Sequence, residues 1–385
     1  MYWRTLDKID SSLYKGIAIL MIATHNFMHL FPKPKENEFG FYPDRFFDFL
    51  HLAYSEPENI LRTSLSFLGH FGVQIFIFLS AYGLTKKYSS KQPDYWPFIW
   101  QRIMKIYPAF LIAILAWLII VGWFIGDYGF LGPAKLLYAN IIPLVLKLSL
   151  LSSFTPEYYF SPVGPWWFIP FIFQFYLTFP LLRYLHSRYG NRALLFLSLT
   201  SLLISLLTQG KIGELNLYFT VLGHLPALCL GIFLASNDDK KINIPKSIIL
   251  LALGVFLLGN IYETFWYANH ISFLILILAF LTYLSDTIKN TRTIRKTLLF
   301  YGSLSMPLFL VNGFLRAPFI TWAIDYNHWS LTLILCLISL SLSTLVALAL
   351  DKIEKRLMLK IEWETPRSLY NQFTQCLTKA LTRVK

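Results

Sequence analysis

Charge is scarce in this chain. Only 14% of its 385 residues are Asp, Glu, Lys or Arg, where an ordinary soluble domain carries about 25%. Too little polar surface is present to face water, which excludes a soluble globular enzyme and a disordered chain alike. Cysteine is scarce too: Cys229, Cys336 and Cys376 form no CxxC pair, so neither a disulfide framework nor a thiolate metal site is expected. There is no internal repeat, no low-complexity tract and no glycine-rich phosphate loop. Nor do apolar and polar residues alternate with period two, which excludes an outer-membrane barrel.

What is present is apolar. Hydrophobic residues make up 56% of the chain and aromatic residues 17%, and the mean hydropathy is +0.53. Ten runs contain no Lys, Arg, Asp or Glu: Gly16–Pro32, Thr63–Thr85, Ile106–Gly126, Tyr158–Leu182, Ala193–Gly210, Leu215–Asn237, Ser247–Tyr262, Thr264–Ser285, Thr297–Leu315 and Tyr326–Leu350. A helix needs about 20 apolar residues to cross hydrocarbon, and open strands cannot cross it because their backbone groups would stay unpaired. The expected fold is therefore an all-α integral membrane protein of about ten transmembrane helices.

Charge bias orients those helices. With Arg4, Lys8 and Lys15 in the cytoplasm and ten alternating spans, 26 of the 34 Lys and Arg residues fall inside. They include Lys86, Lys87, Lys91, Arg102 and Lys105 in one loop and Arg183, Arg188 and Arg192 in the next. An eleventh apolar stretch, Leu136–Ser153, would invert every later loop against the positive-inside rule if it crossed. Broken by Pro143 and Lys147, it is expected to be re-entrant or to lie along the outer interface, with both termini cytoplasmic. Residues 1–350 then form the membrane domain. Residues 351–385 read as a basic amphipathic tail on the anionic inner leaflet. The net charge of +13 is thus mostly topological and implies lipid, not nucleic acid, as the partner.

Ionisable groups inside hydrocarbon are costly, which makes each a functional candidate. His25 and His29 lie four residues apart on one helix face, with Asn26 on its flank. The plain alternative is a histidine bonded to a neighbouring helix; two histidines and an asparagine in an otherwise apolar run favour function. Lys86, Lys87 and Lys91 read as topogenic. Arg102 and Lys105, three apart and followed by apolar sequence, suit a phosphate-bearing donor such as a nucleotide or coenzyme A. No carboxylate falls within the ten runs, which disfavours an ion-coupled transporter.

Six segments in order resemble the membrane-bound acyltransferase-3 family of bacterial integral-membrane enzymes. They are Lys15-Gly-Ile-Ala…His25; Gly69-His70-Phe71-Gly72…Phe78-Leu79-Ser80-Ala81-Tyr82-Gly83; Arg102-Ile-Met-Lys105-Ile106-Tyr107-Pro108; Pro165-Trp166-Trp167-Phe168…Gln174-Phe-Tyr176…Pro180; Leu225-Pro226-Ala227…Gly231; and Gly302-Ser-Leu-Ser305…Asn312-Gly313. There are departures: Lys15 stands for an arginine, the usual spacing lands on Asn26 one residue after His25, Ala81 interrupts a Ser-Gly pair, and Asn312 stands where histidine is frequent. The resemblance implies transfer of an acyl group, most often acetyl, from acetyl-CoA as co-substrate to an exported carbohydrate at the bacterial inner membrane, without a metal. It implies His25 as base, with Asn26 or His29 orienting it or holding the oxyanion. It implies Lys15, Arg102 and Lys105 for the donor. Acceptor contacts are expected from His70, Trp167, Gln174 and Tyr176, with Trp166 an interfacial anchor. A lipid-linked glycan flippase or exporter is the alternative from another class; a glycan polymerase or ligase is less favoured, because the segment between Lys33 and Arg62 mixes few basic residues with acidic ones.

Overall fold

The computed structural model describes residues 5–126, 128–237 and 244–360, and these are almost entirely helical. In order run α1 (Lys8–Met28), α2 (Pro43–Ser55), α3 (Ile60–Leu68), α4 (Gly72–Lys87), α5 (Tyr95–Ile120), α6 (Gly132–Ala139), α7 (Ile141–Leu148), α8 (Phe168–Tyr189) and α9 (Asn191–Leu207). There follow α10 (Leu225–Ser236), α11 (Lys246–Gly259), α12 (Glu263–Trp266), α13 (Asn269–Asn290), α14 (Arg292–Ser303), α15 (Ser305–Leu315), α16 (Ala317–Tyr326) and α17 (Trp329–Lys360). Among the described residues, four stretches are long and apolar enough to cross a membrane: Pro57–Lys87, Tyr95–Ile125, Gly164–Tyr189 and Trp329–Leu357. A fifth arises if α14 and α15, bent by 79° at Leu304, count as one. Four shorter apolar helices accompany them, and each apolar run of the sequence overlaps one helix or helix pair.

The helix ends depart from the runs where backbone chemistry outweighs hydropathy. Helix α1 starts at Lys8, inside charged sequence, because Asp7 caps it: the Asp10 amide donates to the Asp7 carboxylate at 2.7 Å, and the Asp7 amide to Asp10 at 3.3 Å. The ammonium of Lys289 then closes on Asp10 at 2.5 Å. The run from Leu215 is not helical at its start. Leu215–Asn216 pairs antiparallel with Lys211–Ile212, and positive φ at Gly210 and Gly213 makes that turn. Pro143 does not break its stretch either. It sits in the first turn of α7, where a missing amide costs no helical bond, and the break falls at Asn140 between α6 and α7. Lys147, 0% exposed, donates to the Tyr159 carbonyl at 2.6 Å. Helix α17 continues past Leu350 to Lys360; the rest of the expected tail, 361–385, and the loop cations Lys240 and Lys241 lie outside the described residues.

Helix α1 is the axis of the molecule, packed against α3, α4, α14 and α15. Glycines set two of those contacts. A Cβ on Gly16 would overlap the Leu298 carbonyl of α14, and one on Gly302 would overlap the Ser12 carbonyl of α1. On another side a Cβ on Gly69 would lie 2.6 Å from the His25 Cβ, so the α3–α4 junction presses directly on His25.

Candidate active site

His25 is 4% exposed and fixed from across the helix interface. Its Nδ1 lies 3.1 Å from the Leu65 carbonyl oxygen. A carbonyl only accepts, so the proton sits on Nδ1 and the Nε2 lone pair is left free. His29 stacks on His25 with ring centroids 4.8 Å apart, and His70 stands 5.7 Å away. Asn26 donates to Asn312 Oδ1 at 2.7 Å, while Asn312 donates to the carbonyls of Leu308 and Phe309. Arg316 donates to the Asn26 carbonyl. The departure at Asn312 thus has a local function: it orients Asn26.

The segment after α1, residues 31–42, folds back onto these histidines, which sequence reasoning missed. Ser66 donates to the Pro34 carbonyl at 2.7 Å, Trp266 to the Asn37 carbonyl at 2.8 Å, and Asn216 to the Phe39 carbonyl at 2.6 Å. So clamped, the loop sets Glu36 Oε1 3.3 Å from His29 Nδ1 and places Glu38 beside His25. Burial opposes ionisation of Glu36, yet the hydrogen bond from His29 and the charges of the three histidines hold its carboxyl well below the usual range. Burial, then the charge of Glu36, pushes the Glu38 carboxyl well above it. The signal available in sequence is two acids, Glu36 and Glu38, following the histidine pair between Pro34 and Pro43; a count of charges does not tell a loop that folds back from an open one.

Two cavities meet at this point. A chamber of about 30 Å³ is lined by Ile22, His25, Asn26, Glu38, His70, Val73, Pro165, Trp167 and Phe309. A larger cavity of about 460 Å³ is lined by Ser12, Lys15, Ser80, Lys105, Tyr176, Ser305, Asp351 and Glu354 among others, and it shares Ile22, Val73 and Phe309 with the chamber. These three apolar side chains are walls common to both cavities, at the neck where the two adjoin. Lys15 and His25 are ten residues apart on α1, or about 15 Å along the axis, so Lys15 stands about half the length of α1 from the imidazole.

The structure brings together Lys15, Lys105 and Tyr176 at the larger cavity, and His25, Asn26, His70 and Trp167 at the chamber. Tyr176 therefore lies with the basic residues and not on the acceptor side where sequence reasoning put it. Arg102 is not on the cavity wall: its guanidinium packs 5.5 Å from the Phe98 ring and 5.7 Å from Tyr176, behind it. Gln174 accepts from the Val221 amide at 3.1 Å and so braces the turn before α10. Trp166 is no interfacial anchor. It is 0% exposed and donates its indole N–H to the Leu310 carbonyl at 2.8 Å. His224 and His270 were also missed; they extend the ring cluster from His70 by steps of 6.4 and 5.5 Å, and single histidines scattered along the chain give no pattern to read.

Among the described residues, His25, His29 and Glu36 offer ligand atoms within 4.8 Å of one another, near enough to hold a metal ion. The field there opposes a cation: Lys35 donates to the His29 carbonyl at 2.7 Å, and Arg45 and Arg316 donate to the carbonyls of Glu36 and Asn26.

A helical membrane protein with a buried imidazole beside a charged cavity, whose walls carry Lys15 and Lys105 together with Asp351 and Glu354, is equipped for group transfer inside the bilayer. The model of the acyltransferase-3 family, described as an acyltransferase domain, matches residues 9–350. The chain belongs to that family and is a membrane acyltransferase. Neither the curated proteins nor the solved structures include a match.

Proposed function

We propose that the protein is an O-acetyltransferase of the bacterial inner membrane. It takes an acetyl group from cytoplasmic acetyl-CoA and passes it to a hydroxyl of an exported or cell-surface carbohydrate. The single observation that carries this reading is that the cavity holding Lys15 and Lys105 shares Ile22, Val73 and Phe309 as walls with the chamber that holds His25. In this reading the ten helical segments all cross, both termini are cytoplasmic, and the cavity opens inward. Lys15 and Lys105 hold the donor's phosphates, and the thioester reaches the neck.

The acceptor hydroxyl gives its proton to His25 Nε2 while its oxygen attacks the thioester carbonyl. The tetrahedral oxyanion takes a hydrogen bond from the Asn26 amide. The C–S bond then breaks, and the thiolate receives the proton from the imidazolium, so no proton is gained or lost overall. Glu36 keeps His29 in place beneath the His25 ring. A chamber of about 30 Å³ favours transfer of a small acyl group over passage of a lipid-linked glycan, the competing flippase reading.

The test uses purified protein in lipid vesicles with acetyl-labelled CoA and bacterial membrane glycans. Label is expected in an alkali-labile ester on the glycan, matched by free thiol. Absence of both overturns the reading.

A further inference from the structure

A third cavity, of about 430 Å³, lies beyond the opposite end of α1 from Lys15. It is lined by Phe39, Phe41, Tyr42, Gln209, Lys211 and Glu263, with Asn216, Tyr218 and Trp266 among its walls. Its size is within the range of small-molecule sites, about 300–1,000 Å³. A single dipeptide separates it from the catalytic chamber: Glu38 lines the chamber and Phe39 lines the cleft. Phe39 stands edge-on to Trp167 of the chamber wall at 5.1 Å and stacks on Phe219 at 4.2 Å. The partition is pinned by Asn216, whose amide donates to the Phe39 carbonyl and whose oxygen accepts from the Tyr218 amide.

We propose that this cleft is the seat of the acceptor and that it takes a neutral saccharide. The chemistry of the lining is that of a sugar's complement. Tyr42 and Phe41 offer ring faces for C–H surfaces, and the Arg45 guanidinium lies 3.9 Å over Tyr42, holding that ring in place. Gln209, Lys211 and Glu263, all exposed, offer donors and acceptors for hydroxyls. Glu263 spends one oxygen on the Tyr267 hydroxyl at 2.8 Å and keeps the other. One cation and one anion cancel, so the cleft has no net charge with which to select an acidic sugar. The hairpin turn contributes Gly210 and Gly213 to the lining, which keeps that side low. A hydroxyl held here need pass only the Glu38–Phe39 wall to reach His25. The inference rests on the transferase reading for the sugar's fate, and on the cleft for its place.

The test needs no turnover. In the full chain carrying Cys376→Ser, with Cys229 and Cys336 buried, Gln209→Cys, which leaves Lys211 and Glu263 in place, is labelled by a bulky, impermeant thiol reagent in the presence of maltose, lactose, chitobiose or glucuronate. A neutral disaccharide at twice its Kd is expected to slow labelling about threefold, and Tyr42→Ala should abolish that protection. Thr208→Cys, on the same wall, provides the same reading should Gln209→Cys fold poorly. Protection by glucuronate alone overturns the neutral class, and protection by none of the four overturns the site. Failure of acetyl transfer with protection intact would defeat the transferase reading and leave the cleft standing.

Discussion

At the scale of single residues the proposed chemistry depends on one imidazole, His25, whose proton the Leu65 carbonyl places on Nδ1. His25→Ala is expected to lower the transfer rate by about 10²–10⁴-fold, the usual contribution of a positioned base. His29→Ala removes only the stacked neighbour and its bond to Glu36, so its loss of rate should be smaller; rates measured on protein eluting at the wild-type position decide between them. If His29→Ala were the inactive one, the roles would be exchanged. At the donor end, Lys105→Ala takes a cation from the cavity wall, whereas Arg102→Ala removes one packed behind Tyr176. A lost charge-assisted phosphate contact is worth about 1.5–3 kcal/mol. The KM for acetyl-CoA should therefore rise by an order of magnitude or more in the first variant and less in the second. His25, Asn26 and His29 were legible in sequence because a polar group in an apolar run is conspicuous. Glu36 and Glu38 were not, since a carboxylate between two spans looks solvated until the loop is seen to fold back.

At the scale of helices, glycine decides how closely α1 is embraced. Gly16→Ala would push a methyl group into the Leu298 carbonyl of α14, and backbone cannot move aside as a side chain does. The cost is expected at or above the upper end of the about 1–3 kcal/mol typical of overpacking. Gly83→Ala, where nothing lies within 4 Å of the added Cβ, is the matched control. Thermal unfolding followed by fluorescence-detected gel filtration should show a clear loss of Tm in the first and almost none in the second. Helix existence was readable from charge-free runs, because hydrocarbon permits little else. Helix ends were not. Capping at Asp7, the turn at Gly210 and Gly213, and the elbow at Leu304 are matters of local hydrogen bonding and dihedral angle, to which a count of charges is blind.

At the scale of the whole molecule, the proposed arrangement of ten spans fixes which cavity faces which compartment. Cysteines introduced at Ser161 and Lys211 should react with an impermeant reagent applied to intact cells, and those at Lys241 and Lys296 should react only after lysis. Labelling of Lys241→Cys from outside would reverse the donor and acceptor sides together. With that topology the neck at Ile22, Val73 and Phe309 acquires a duty unrelated to bond making. The cavity of about 460 Å³ adjoins it on one side and the chamber on the other, and across an energised membrane each escaping charge gives up about 2.3 kcal/mol per 100 mV. Apolar side chains at a constriction shed water, and a dewetted constriction is closed to ions even when its atoms do not touch. An enzyme that works as proposed can thus hand an acyl group from one compartment to the other while remaining, electrically, an insulator.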